Sequence, residues 1–223
     1  MRSIAAPFEA AGSQPRSKDS DSWSTAFDLR TFAVGFLVFV GYYLGAKIGF
    51  ALTFRPHPVS VLWPPNSILV AALLLTPPRI WWVVVLAAFP AHWVAQLESQ
   101  VPPLMILCWF ISNTYEALIG AILTRYLVGG TIAFNSLRNT GIFCLCVVFT
   151  GPFLSSFLDA AFVVSNHWGQ GTYWELARIR LTSNVLAALI VVPLIVTWAS
   201  IGVPKLKSGR YSRYLEASAL FLA

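Results

Sequence analysis

The sequence predicts an all-α, polytopic integral-membrane helical bundle with six spans and the start of a seventh. Three observations predict it. Charged residues make up 11% of the chain and hydrophobic ones 57%, whereas soluble domains carry about 25% charge. Mean hydropathy is +0.69, so lipid must cover much of the surface. Apolar runs of about twenty residues, the length a bilayer requires, recur along the chain and end in proline or basic residues.

The formal net charge of +6 would suit a nucleic acid, but the basic residues stand at the ends of apolar runs and form no face between aromatics. That is the pattern of membrane topology, and no nucleic-acid partner is expected. Cys108, Cys144 and Cys146 all lie in apolar runs. They form neither a secreted disulfide framework nor a zinc pattern, and read as buried inert thiols.

In order, residues 1–30 are polar, mixed in charge and rich in Gly, Ser and Pro, and read as a disordered cytoplasmic tail. Residues 31–223 read as the membrane domain. Thr31–Phe54 is the first span and Arg55-Pro56-His57-Pro58 ends it. The second runs over Val59–Thr76. The third, Arg79–Gln96, contains Pro90, His92 and Gln96. The fourth starts at Pro102-Pro103 and reaches Val128. The fifth, Leu137–Ser165, is interrupted at Gly151-Pro152. The sixth, Tyr173–Ile201, has Pro193 near its end. Leu215–Ala223 is apolar but far too short to cross a bilayer, and reads as the start of a seventh helix in a longer protein. Lysines and arginines fall in alternate connections, which places the N-terminus in the cytoplasm.

The second span is the unusual one. Trp63-Pro64-Pro65-Asn66-Ser67 stands where an apolar helix should begin. Prolines in a first turn cost little, because the N–H groups there have no partner inside the helix. Backbone groups at membrane depth must find partners in protein or in a water-filled cavity. The stretch predicts either a helix that starts below the membrane surface and faces a cavity, or a plain helix entry with an interfacial tryptophan.

Intramembrane charge is expensive and usually functional. Helical spacing sorts the polar groups into stripes: Trp109, Asn113, Glu116 and Gly120; Pro152, Ser155, Ser156 and Asp159; Arg180, Asn184, Ala187 and Val191. Arg178 lies about 160° round the helix from Arg180, so one of the two points inward. Glu116 and Asp159 are expected partners for Arg180 and Lys47. The polar groups gather in the outer half of the bundle, which predicts a cavity open to the outside. The plainer alternatives are that Lys47 and Arg178 snorkel to the surface and that Glu116 and Arg180 form a purely structural pair. His57, His92 and His167 are not spaced as metal ligands and read as helix-end or interfacial residues. Trp63, Trp81, Trp82, Trp168, Trp174 and Trp198 read first as an aromatic belt.

Three stretches carry a resemblance to a known family. Trp63-Pro64-Pro65-Asn66 with Leu69–Leu75, Asn113-Thr114-Tyr115-Glu116-Ala117-Leu118-Ile119-Gly120-Ala121, and Ser183–Leu189 leading to Val192-Pro193 resemble the first family of bacterial membrane-associated sensor domains (the MASE type). The chain departs from the family at Ser183-Asn184, where many members have Gly-Asp, and at Asn66-Ser67, where Ser-Gly is common. The resemblance implies an input module of about eight helices, attached to histidine kinases, diguanylate cyclases or phosphodiesterases.

The expected function is therefore a sensory input domain. It would detect an extracytoplasmic or membrane signal and pass it to a cytoplasmic histidine kinase or diguanylate cyclase. The candidate sensing residues are Trp63, Pro64, Pro65, Asn66, Asn113, Glu116, Asp159, Arg180 and Asn184. No catalytic signature, metal set or cofactor is expected in this chain. The expected partners are the lipid bilayer, a small-molecule or membrane signal, the output domain in the same polypeptide, and a second copy of the chain. The alternative is a small-molecule transporter or substrate-binding membrane subunit, since broken helices with midplane polar groups fit that class as well.

Overall fold

A computed structural model of the chain describes residues 29–53, 60–130 and 132–201. The expected cytoplasmic tail up to Asp28, the Arg55–Pro58 corner and the expected start of a seventh helix at Leu215–Ala223 lie outside the described residues. The described residues are helical, with one isolated antiparallel bridge between Thr53 and Ser60. The helices are α1 (Leu29–Ala51), α2 (Pro64–Leu75), α3 (Trp81–Glu98), α4 (Pro103–Val128), α5 (Leu137–Phe143), α6 (Gly151–Ser165) and α7 (Tyr173–Ile201). A single 3-10 turn, Pro78–Ile80, leads into α3, and a π-helical segment, Cys144–Thr150, joins α5 to α6.

Five helical stretches are long and apolar enough to cross a bilayer: Leu29–Ala51, Pro78–Glu98, Pro103–Val128, Leu137–Ser165 and Tyr173–Ser200. Large apolar side chains such as Phe36, Leu37, Leu86, Ile111, Ile122, Phe149, Ile190 and Leu194 face outward on them. Together they form an apolar surface far larger than a water-soluble monomer exposes, which requires lipid around it. The chain is a multi-pass membrane protein.

The second predicted span is the one that departs from expectation. Its helix covers only Pro64–Leu75, about 18 Å against the roughly 30 Å of a hydrocarbon core. The apolar run Val59–Thr76 is continuous in sequence, but residues 60–63 are not helical. Val61 N–H bonds the Leu52 carbonyl at 3.1 Å. The Ser60 hydroxyl lies 2.7 and 2.6 Å from the Gly49 and Leu62 carbonyls, and accepts from Leu62 N–H at 3.2 Å. These bonds satisfy the backbone that the missing helix would have paired internally. Pro64 and Pro65 then open the helix without leaving N–H groups unpaired.

α2 is the hub of the bundle. Nine of its twelve residues are buried, so it is enclosed on nearly all sides, by α1, α4 and α7. On the α1 side, Gly41 and Gly45 lie against Ile68, Gly45 also against Pro64, and Gly49 against the Trp63 ring. A Cβ added at Gly49 would stand 2.6 Å from that ring. This small-residue stripe lets the two helices approach closely. At its other end α2 is capped by a cation. Arg125 Nη2 donates to the Leu74 carbonyl at 3.1 Å and to that of Thr76, which suits the negative pole of the helix. Trp81 Nε1 donates to the Leu73 carbonyl at 2.8 Å.

α1 and α3 run in parallel, since Gly35 meets Val83 and Ala87, Tyr42 meets His92 and Lys47 meets Glu98. α4 runs against both. The end at which α1 and α3 finish and α4 and α7 begin is termed the upper end. The lower half is filled by aliphatic side chains, among them Leu69, Leu73, Val84, Ala121, Val147, Val192 and Val196. The interruption predicted at Gly151-Pro152 takes the form of the π segment. Pro152 has no N–H to give its preceding turn, and the wider turn before it absorbs the shift in register. Gly151 then brings α6 onto α4, where an added Cβ would lie 3.0 Å from the Glu116 carbonyl oxygen.

Candidate functional site

The polar interior is best followed down α4, one turn at a time. At the top, Trp109 lines a cavity of about 180 Å³ together with Trp63, Gln96, Trp168, Asp159 and Arg180. Thr53, Ser60, Ser99 and Val101, from the upper connections, complete its rim. Hydroxyls on that rim are already used: Thr53 bonds the Gly49 carbonyl at 3.0 Å and Ser99 that of Ala95 at 3.2 Å. The indole N–H groups of Trp63, Trp109 and Trp168 and the Gln96 carbonyl oxygen are buried and have no partner. The unpaired polar groups of the residues around the cavity are thus mostly donors.

At the cavity floor, Arg180 and Asp159 form a buried ion pair. Asp159 Oδ2 lies 2.9 Å from Arg180 Nε. The Nε proton is poorly directed for a hydrogen bond, so the aligned bond in the pair runs from Nη2 to Oδ1 at 3.0 Å. Ser112 donates to the same oxygen at 3.0 Å. The guanidinium also sits 5.9 Å from the centre of the Trp63 ring, in cation–π range. Arg178, on the opposite side of α7, is exposed.

From Arg180 a hydrogen-bond chain crosses the bundle with a fixed direction. Arg180 Nη2 donates to Asn113 Oδ1 at 3.3 Å, and Asn113 Nδ2 donates to Tyr42 Oη at 3.2 Å. Tyr42 Oη and His92 Nδ1 are 3.2 Å apart, and His92 Nε2 is 3.0 Å from the Ile106 carbonyl. A carbonyl only accepts, so Nε2 carries the histidine proton and Nδ1 receives the tyrosine proton. His92 is fully buried in this chain, not at a helix end as expected. Tyr42→Phe should therefore destabilise the protein by about 1–3 kcal/mol, because it strands His92 Nδ1 and Asn113 Nδ2 together. Unfolding in mixed micelles checks this.

One turn below, Glu116 Oε2 accepts from Ser155 at 2.5 Å and from Asn184 at 2.6 Å. Asn66 approaches the same carboxylate, yet neither of its amide atoms has a hydrogen-bond partner. A second cavity of about 10 Å³ adjoins Glu116, with Ser67 in its wall. A turn lower still, Gly120 packs against Val70 and Val147, and Thr124 is the next buried polar side chain on α4.

The nine candidate residues are thus divided. Trp63, Asp159 and Arg180 meet in the upper cavity, with Asn113 bonded behind them. Asn66, Glu116 and Asn184 form a lower group. Pro64 faces Gly45 at the α1–α2 contact, and Pro65 lies beside it. The expected pairing of Glu116 or Asp159 with Lys47 is not formed. Lys47 bonds Glu98 at 2.9 Å near the upper surface, where both side chains are about half exposed, because its position on α1 faces α3. Tyr42, Gln96, Ser112 and Trp168 also belong to this interior and are not among the nine candidates. Gln96 stands one turn beyond His92, and that pairing was a legible signal.

The MASE1 family profile matches residues 34–223. The chain belongs to the MASE1 family. MASE1 is a family of membrane-associated sensory domains, and the helical, lipid-facing architecture agrees with it. No curated protein and no solved structure matches the chain. In this MASE1 domain the family-like motifs fall on α2 with its N-cap, α4 and α7, which together with α6 carry both polar groups.

Proposed function

We propose that the domain reads a small molecule in the upper cavity and transmits its presence to a cytoplasmic output domain in the same polypeptide, a histidine kinase or a diguanylate cyclase. The observation that carries this is the continuity of the site. Arg180 lines the cavity and also heads the chain through Asn113 and Tyr42 to His92. A ligand that attracts Arg180 alters a chain spanning α7, α4, α1 and α3. Transmission then needs two packings of these helices and a ligand that prefers one.

The cavity chemistry favours an uncharged ligand rich in acceptors. Its charged pair is internally neutral, three indole donors are free, and the walls are aromatic. An engineered cavity of about 150 Å³ accommodates a benzene ring, so a compound of a similar or slightly larger size fits. The basic residues support an N-inside orientation in a bacterial inner membrane: Arg30, Arg79, Arg125 and Arg138 all lie toward the lower end. Among the described residues the packing below Gly120 is mostly aliphatic, with isolated buried hydroxyls such as Thr124, and this favours sensing over transport. Catalysis belongs to the output, not to this chain.

Trp109→Phe tests the reading, because it removes an indole N–H and keeps an aromatic ring. In the full-length parent it should change output, measured as autophosphorylation or cyclic-di-GMP synthesis, about fivefold or more at an unchanged membrane level. An output equal to wild type across stimulus conditions overturns it.

A further inference from the structure

One side of α2 is left open. Nine of its twelve residues are buried, and the other three, Ile68, Ala72 and Leu75, fall within about 60° of one another on the helix. The opposite side belongs to α4, where Val70 meets Gly120. α1 covers one flank, with Gly41 and Gly45 against Ile68. α7 covers the other, where Ala188 shares a small cavity with Ser67 and Val70. α1 and α7 both pack on α2 but make no extensive contact with each other, so the open stripe is the floor of a slot between them. The slot widens toward the lower end. α1 lies on α2 through its upper glycines, but lower down Gly35 turns to Val83 and Ala87 of α3.

The course of the chain names the occupant. α7 forms one wall of the slot and ends at Ile201, at the same lower end. The MASE1 profile runs on to Ala223, so the domain includes sequence beyond α7. Residues 202–214 carry Lys205, Lys207, Arg210 and Arg213, which hold a connection at the cytoplasmic surface. Leu215–Ala223 is apolar apart from Ser218 and, in its first turn, Glu216. Nine residues rise about 13 Å as a helix, enough to cover the roughly 10 Å from Leu75 up to Ile68. Ala72 on the floor and Gly41 on the wall admit a closely packed helix.

We propose that Leu215–Ala223 re-enters the membrane from the lower end and docks as a helix on Ile68, Ala72 and Leu75, between α1 and α7. This contact does not depend on what the upper cavity binds. Trp63, the N-cap of α2, lines that cavity and meets Arg180. A shift of α2 is thereby handed to the docked segment directly, without passing along α7.

The test combines Ala72→Cys in turn with Ala217→Cys, Ser218→Cys, Ala219→Cys and Leu220→Cys, one helical turn, in the full-length parent in bacterial membranes. Ile122→Cys, exposed on α4 across the bundle, replaces Ala72→Cys in the control set. A disulfide needs Cα atoms within about 7 Å. After mild oxidation at least one of the four pairs should lose its free thiols to a bond within one chain, mapped by mass spectrometry, and the control set should form none. Mapping also separates these bonds from any made by the exposed native Cys144. No such bond in any of the four pairs overturns the docking. A bond between two chains through the Ala72→Cys thiol overturns it in favour of a second copy in the slot. Photo-crosslinking from p-benzoylphenylalanine at position 72 gives an independent reading. Its principal adduct should map to residues 215–223, and adducts to lipid alone overturn the proposal.

Discussion

Asp159→Ala should destabilise the bundle by about 3–5 kcal/mol, because it leaves the Arg180 guanidinium buried without its counter-ion. Arg180 is 7% exposed and Asp159 2%, and water in the adjoining cavity would bring no counter-charge to replace the lost carboxylate. Asn113 and the Trp63 ring remain beside the guanidinium, but neither carries a charge. The mirror variant, Arg180→Ala, should cost a comparable amount by stranding Asp159, with Ser112 as its remaining donor. The informative experiment is the double variant Asp159→Leu with Arg180→Met. Buried ion pairs replaced by apolar groups of similar volume are often neutral or stabilising. The double variant should therefore recover most of the stability lost in either single one while losing the stimulus response of the full-length parent. Retained signalling in a stable double variant would confine the pair to a structural role.

The second large effect is expected at Gly151→Leu. The bulk of the new side chain would start 3.0 Å from the Glu116 backbone oxygen, and a backbone atom cannot swing aside as a side chain can. α6 would have to lift away from α4, at a cost of about 2–3 kcal/mol. The same movement would separate Ser155 from Glu116. Glycine at 129 is the contrast: an added Cβ there meets no atom within 4 Å, although its φ of +75° disfavours other residues. Overpacking is thus specific to 151, and unfolding midpoints of the two variants separate it from backbone strain.

Much of this architecture is legible in the sequence, for definite reasons. Helix boundaries follow apolar runs closed by proline and basic residues, and the sides of α4 and α7 that carry Glu116, Asn113 and Arg180 follow from a 3.6-residue period. The prolines at 64 and 65 also mark an irregular start to α2. How far the irregularity extends is not legible, because hydropathy is the same for an extended and a helical apolar segment. Partner choice is the other gap. Spacing gives Arg180 an inward side but not whether Glu116 or Asp159 meets it. That depends on how far α6 slides along α4, which the Gly151 contact and the π turn set. Tyr42 and His92 lie fifty positions apart, and only the parallel run of α1 and α3 joins them. The Gly41, Gly45 and Gly49 series has the spacing of a close-approach stripe, but that spacing does not name Ile68 and Trp63 as what it meets.

The one-way order of donors from Arg180 to the Ile106 carbonyl ties the orientation of each group to that of the next. If the Asn113 amide turned over, its NH₂ would oppose the guanidinium. Tyr42 would then have to swing its proton to Asn113, and His92 would have to change tautomer and release Ile106. Each link is satisfied only if its neighbours keep the same sense, so a half-reversed arrangement leaves buried groups unpaired and is penalised at both junctions. A relay of this kind has two complete settings and no well-satisfied mixture of them, so its members turn over together or not at all.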